Sequence, residues 1–344
     1  MTGLERPLRI AVDCMGGDHA PRELVAGALA AAAAERIHVL LVGVPAALAS
    51  WIPEGVERLG HTEIVASDGA IPEGAPPLVA LRAAPNASTA MTMRQVAAGR
   101  ADAAVSAGST GPTLLAAVRE LGMLGGVRRA CVGRQILGLH PETYLIDLGP
   151  TLDCEARHLV EFAVIGATYM RVFAGIADPT VALLSNGREP GKGTRVVKHA
   201  ADLLARSGLR FVGLVEGHHL MAGAANVVVC DGFVGNVTLK TVEGLGRELA
   251  AWLDRELEPD LSPGRRRALV DRLVETTNQI DLHGSLPLLG VRGNVVMAHG
   301  ASDRHAIRAA IAQAVRAARG QFVIKLRAAL EETRERLSRP VETA

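Results

Sequence analysis

Residues 226–240 read Asn226-Val227-Val228-Val229-Cys230-Asp231-Gly232-Phe233-Val234-Gly235-Asn236-Val237-Thr238-Leu239-Lys240. Three valines and a cysteine form a short apolar run of the kind that makes a fully buried parallel strand, and Asp231-Gly232 ends it. Beyond Gly235, Leu239, Val242 and Leu245 recur at helical spacing. The stretch predicts a strand, a tight glycine loop and a helix N-terminus. Such a junction aims free backbone N–H groups and the positive helix end at one spot, and glycine lets an anion come close. Lys240, read as about one turn into the helix, is placed to reach back over that spot. The expectation is a phosphate or carboxylate pocket on Asp231, Gly232, Gly235, Asn236 and Lys240. The competing reading is an ordinary α/β turn, which also carries glycine.

The same arrangement recurs along the chain. Leu8 to Asp13 is an apolar strand that runs into Cys14-Met15-Gly16-Gly17-Asp18-His19-Ala20-Pro21, followed by a helix to about Ala34. Ile37 to Val42 is the next strand and Thr62 to Ala66 a weaker third, so a right-handed crossover and a parallel sheet follow. Ala101 to Ser106 feeds Ala107-Gly108-Ser109-Thr110-Gly111-Pro112 and a helix over Leu114 to Leu124. Ser109 and Thr110 offer hydroxyls to a phosphate; their other reading is a helix N-cap. Tyr144 to Leu148 is a strand before a long helix, Asp153 to Phe173. Thr180 to Leu184 leads into the loop from Ser185 through Asn186 to Lys192 and Gly193, and a helix spans Arg195 to Ala205. Phe211 to Val215 is a strand before Glu216-Gly217-His218-His219. Adjacent histidines on a strand face opposite ways and no ligand partner is spaced to join them, so no metal is expected.

This order predicts an α/β fold with a mostly parallel sheet flanked by helices, as a single domain over residues 1–330. Ser67 to Ala90 reads as a long loop. Gly244 to Asp281 reads as an amphipathic helical hairpin broken around Pro259 and Ser262-Pro263-Gly264, a candidate dimer arm, membrane-surface contact or dock for an acidic partner. A final helix runs from His305 to about Leu330, and 331–344 is a charged, fraying tail.

Of the 344 residues, 49% are hydrophobic and 21% charged, with a net charge of +1, which describes a globular chain. Only 3% are aromatic, and there is no basic excess, so a nucleic-acid partner is not expected. Cys14, Cys131, Cys154 and Cys230 lie far apart, without metal-finger spacing. Cys14 and Cys230 read as small core residues. The first residues lack a signal-peptide core and no run reaches membrane-spanning length, so a cytoplasmic location is expected.

Four segments taken together resemble the PlsX family, the phosphate acyltransferases of bacterial phospholipid synthesis: Ile10 to Pro21, Ser106-Ala107-Gly108-Ser109-Thr110-Gly111, Val228 to Asn236, and Ala298-His299-Gly300-Ala301-Ser302-Asp303. The likeness extends from about Arg9 to Arg316. It implies a fold like isocitrate dehydrogenases and phosphotransacetylases, a homodimer, and transfer of a fatty acyl group from acyl carrier protein to inorganic phosphate, with no cofactor. Inorganic phosphate is already an anionic nucleophile near neutral pH and a thiolate leaves readily, so such a site must supply orientation and oxyanion donors. Gly16, Gly17, Gly108, Ser109, Thr110, Gly111, Asn186, Lys192, Asp231, Gly232, Gly235 and Asn236 are the candidates for binding. Asp18, His19, Lys240 and His299 are the candidates for catalysis; a histidine at a strand end can equally be structural.

The chain departs from the family pattern at several places. Ser109 stands where asparagine is usual, Ala83-Ala84-Pro85 where lysines are usual, Arg188 where an acid is usual, and His218 where arginine is usual. His283-Gly284-Ser285-Leu286-Pro287 replaces a glycine pair before proline. These departures keep open a specialised acyl-carrier substrate and a non-catalytic homologue that binds the carrier. A dehydrogenase on the related fold would need a dinucleotide fingerprint and metal-binding aspartates, and the sequence has neither.

Overall fold

The computed structural model describes residues 6–53, 55, 61–136, 138–258, 261–277 and 284–339. The expectations for the first five residues, Pro259, the hairpin end at 278–281, His283 and the tail from 340 lie outside the described residues.

The strands are β1 (Arg9–Asp13), β2 (His38–Gly43), β3 (Thr62–Ala66), β4 (Ala103–Ser106), β5 (Cys131–Arg134), β6 (Tyr144–Ile146), β7 (Thr180–Leu184), β8 (Arg210–Val215), β9 (Val227–Val229), β10 (Ser285–Leu289) and β11 (Asn294–Ala298). The helices are α1 (Arg22–Glu35), α2 (Pro45–Ala49), α3 (Pro77–Ala83), α4 (Ser88–Ala97), α5 (Thr110–Leu121), α6 (Ala156–Phe173), α7 (Arg195–Leu204), α8 (Gly217–Met221), α9 (Gly232–Glu256), α10 (Pro263–Thr277), α11 (Arg304–Arg319) and α12 (Phe322–Ser338). The chain divides into two compact units, Met1–Ala130 with His283–Lys325, and Cys131–Leu282 with Leu326–Ala344.

The first unit orders its strands β3-β2-β1-β4-β11-β10. All neighbours are parallel except β10, which runs antiparallel to β11. Strand alternation divides β1 between two faces. Ile10 and Val12 pack with Leu24, Val25 and Ala28 of α1 and with Ile307 and Ile311 of α11. Ala11 joins Leu40, Val42 and Val65 on the other face, against Met91 and Val96 of α4. Helices cover both faces, so these strands read as unbroken apolar runs.

The second unit orders its strands β5-β6-β9-β7-β8, parallel apart from the β5–β6 pair. The helix α6 is buried almost all round from Leu159 to Met170. Tyr144 of β6 stacks on Tyr169 of this helix, and Tyr169 on Phe173, with ring centroids 4.3 Å apart at each step.

Several expectations change. The loop over Ser67 to Ala90 contains α3, whose start carries Pro77 at a position where a missing N–H costs nothing. The single final helix is two, because the chain turns at Gly320-Gln321, with Gln321 at φ 53. The second of these continues through Ser338, into the segment expected to fray. The helical hairpin is α9 packed on α10, and α9 begins at Gly232, so Gly232 and Gly235 lie in the helix rather than in the expected loop before it.

His218 and His219 lie on the helical turn α8, not on a strand. One helical turn gathers what a strand would have separated, and ligand atoms of Glu216, His218 and His219 lie within 4.8 Å of one another. Glu216 and His219 cap that turn reciprocally, side chain to backbone in both directions. Among the described residues no helix is long and apolar enough to cross a membrane.

Candidate active site

In the first unit the loops after β1, β4 and β11 enclose a cavity of about 420 Å³. Its organiser is Asp13, the last residue of β1, fully buried. Asp13 Oδ1 accepts the N–H groups of Met15 and Gly16, both at 3.2 Å. Its Oδ2 accepts the hydroxyls of Thr89 at 2.6 Å and Ser106 at 2.7 Å. Ser106 Oγ in turn accepts the Gly108 N–H at 3.1 Å. One buried carboxylate thus shapes two glycine loops, and charge-assisted bonds of this kind are the stronger sort. The loops touch so closely that a Cβ on Gly16 would lie 2.6 Å from Gly108 N.

Ser109 occupies the N-cap position of α5, yet its side chain makes no capping bond. Thr113 donates to Ser109 O at 3.1 Å, as the first N–H bonded back along the helix, and Pro112 has no N–H. The first-turn amides of Thr110 and Gly111 are left without helical acceptors, at the positive end of the helix dipole. His299 lines the same cavity. Its Nδ1 accepts the Ala301 N–H at 3.2 Å, which puts the neutral ring's proton on Nε2. No lysine or arginine is among the described residues lining this cavity, whereas Asp18 and Glu73 are.

In the second unit a cavity of about 740 Å³ opens beside the ends of β7 and β9. The helix starts around it are each capped by a side chain. Thr194 Oγ1 accepts the Val197 N–H at 3.2 Å for α7, and Asp231 Oδ1 accepts the Val234 N–H at 2.8 Å for α9. The Gly232 N–H donates to Thr151 O at 2.8 Å. Asp147, fully buried behind the loop, accepts the N–H groups of Val132 at 3.0 Å and of Leu148 and Thr151 at 2.8 Å. Burial lifts its carboxyl from 3.8 to about 6, against the pull of those amides. Burial likewise raises the Cys230 thiol well above its usual value and pushes Cys154 up to about 12.

The candidates fall into two groups. Gly16, Gly17, Asp18, Gly108, Ser109, Thr110 and His299 line the first cavity; Gly111 sits just beyond it against Pro77, and exposed His19 is not among the lining residues. Asn186 and Asp231 line the second, and Lys192, Gly232, Gly235, Asn236 and Lys240 do not. Gly235 is a packing glycine, since a Cβ there would run into the carbonyl oxygen of Asp147. Asn236 donates its amide to Leu148 O at 3.3 Å.

At the start of α9 the amides of Gly232, Val234 and Gly235 are all bonded within the protein. The structure places Lys240 farther along α9. It lies nine residues past the Asp231 cap, roughly 13 Å along the axis at helical rise, and its Nζ donates to the buried Glu243 at 2.7 Å. Asp13, Thr89, Ser106 and Asp147 were not among the sequence candidates. A polar residue closing an apolar strand was the signal available for Asp13; Thr89 offered none.

The family model described as "Fatty acid synthesis protein" matches residues 8–325. The phosphate acyltransferase of Moorella thermoacetica is 40% identical over 312 residues, which covers 90% of this chain and 92% of that protein. The structure of the EutD phosphotransacetylase from Staphylococcus aureus matches with a TM-score of 0.60 at 17% identity, over 92% of this chain and 94% of that one. A 4-hydroxythreonine-4-phosphate dehydrogenase from Klebsiella pneumoniae matches with a TM-score of 0.50 at 13% identity, over 92% and 99%. These two structural likenesses show the α/β fold alone, on which different activities are built.

Proposed function

The chain belongs to the family of fatty acid synthesis proteins whose relatives include phosphate acyltransferases, and on that premise we propose that it moves an acyl group from the thioester of acyl carrier protein to inorganic phosphate, for phospholipid synthesis. The observation that carries the reading is the uncapped start of α5. Its unbonded amides, the Ser109 and Thr110 hydroxyls and two glycine loops in contact meet at one cavity. That is the donor set a phosphate needs, and close backbone approach substitutes for the lysines this chain lacks after Arg82.

In this reading phosphate binds over the first turn of α5. One of its oxygens attacks the thioester carbonyl carbon, and negative charge collects on the carbonyl oxygen. The C–S bond then breaks, the acyl phosphate forms, and the sulfur leaves as a thiolate that accepts a hydrogen bond from the His299 Nε2–H. No nucleophile from the protein is required, because phosphate supplies it. Asp18 lines the same cavity.

The same reading includes a homodimer. On α9 the side chains of Val237, Leu245, Leu249 and Trp252 follow helical spacing and are all exposed, with Trp252 at 51%. A face of this kind is what a second copy, or a membrane surface in peripheral contact, would bury. Light scattering and vesicle co-sedimentation separate the two.

The activity is tested by phosphate-dependent release of carrier thiol from acyl carrier protein and coenzyme A thioesters, with acyl phosphate trapped by hydroxylamine. Release that needs phosphate and gives the hydroxamate is expected. A folded protein that is silent across the panel overturns the reading.

A further inference from the structure

The two cavities differ in kind, and the difference points to what the second one binds. Its wall is aliphatic, made by Leu152, Leu159, Leu184, Val196, Val197 and Val234. The thiols of Cys154 and Cys230 complete it and stay protonated at neutral pH, because burial raises both. Both adjoining helix starts carry a side-chain cap, Thr194 on the Val197 amide and Asp231 on the Val234 amide. The Asp231 carboxylate adds negative charge at the mouth, beside the neutral Ser185 and Asn186.

An anion entering here meets two carboxylates, Asp153 and Asp231, and no cation among the described lining residues. An uncharged alkyl chain meets aliphatic groups and thiols, and the volume of about 740 Å³ is within the usual range for a small-molecule pocket. We propose that this cavity is the binding site for the linear alkyl chain of the acyl donor, with the polar rim at Ser185 and Asn186 facing the thioester end. The identification of the chain as a donor's rests on the phosphate acyltransferase reading; the preference for an uncharged alkyl ligand does not.

The experiment uses the full chain and a series of dansyl amides with butyl to dodecyl tails, read by fluorescence, so it requires no turnover. Affinity is expected to rise about fourfold per methylene until the cavity is full, which is what burial of one CH2 is worth. Val197→Trp and Val196→Trp, which fill the cavity from its half-buried side, are expected to abolish that dependence. In the unmodified protein, the dodecyl probe is expected to slow maleimide labelling of the half-buried Cys154, read by peptide mass. This locates the ligand even where a tryptophan variant does not fold.

An affinity that does not vary with tail length, or binding that leaves Cys154 labelling and both variants unaffected, overturns the proposal. Probe binding with no phosphate-dependent thiol release would instead retain the alkyl site and remove the acyltransferase reading.

Discussion

Ser106 donates its hydroxyl to Asp13 Oδ2 at 2.7 Å while its own oxygen accepts the Gly108 amide at 3.1 Å. A single hydroxyl therefore ties the loop after β4 to the strand end of β1. With Thr89 bound to the same carboxylate oxygen, three segments of the first unit converge on one buried charge. The geometry of the first cavity depends on that charge being satisfied.

Asp13→Asn keeps the size of the side chain but replaces an acceptor with an amide that faces two donating hydroxyls. Unfavourable burial of unmatched polar groups is expected to cost about 1–3 kcal/mol of stability. Phosphate KM is expected to rise, with KM for the acyl donor much less affected. Equal increases in both would make Asp13 a general support of the fold, and urea unfolding beside steady-state kinetics separates the cases.

Ser109 sits at the cap position without capping. Ser109→Ala should accordingly leave the melting temperature unchanged, where loss of a working cap costs about 1 kcal/mol, a shift of about 2 °C. Its effect should fall on phosphate KM. A lowered melting temperature with unchanged phosphate use would make the hydroxyl structural.

Lys240 pairs with Glu243, which is 3% exposed and has Oε1 buried without a partner. The lysine is itself 60% exposed, so water screens the pair and its removal is expected to cost only about 1 kcal/mol. Lys240→Ala should lower stability by that amount and leave phosphate KM unchanged. A large rise in phosphate KM in this variant would return Lys240 to the binding site.

Asp147 gives the second unit a pH dependence whose direction is set by burial. Its carboxyl is raised to about 6 in the fold from an ordinary 3.8, so between about pH 4 and 6 the folded chain holds a proton that the unfolded chain has released. The stability it contributes is complete below pH 4 and is lost as pH rises through 6, by about 3 kcal/mol for a shift of roughly two units. Asp147→Asn does not titrate there. The difference in unfolding free energy between the wild type and this variant should fall across that window, and a constant difference would sink the assignment.

The alternation of apolar strands, glycine loops and helices along this chain was sufficient to establish an α/β fold with a mostly parallel sheet. Those patterns are local, because strand burial and helix periodicity are written in neighbouring residues. Gly16, Gly108, Ser109 and His299 were legible as site candidates for the same reason. What local pattern did not decide was which helix start stays open. Asp231 and Ser109 both stand at the N-cap of a helix that follows a strand, yet Asp231 turns back to cap its own helix and Ser109 does not. That choice depends on neighbours brought in by the fold. Thr89 meets Asp13 across 76 positions of sequence, and Asn236 meets Leu148 across 88. A hydrogen bond between residues so distant leaves no periodic trace in the chain, so only the tertiary structure shows where donors are spent and where they remain for a ligand.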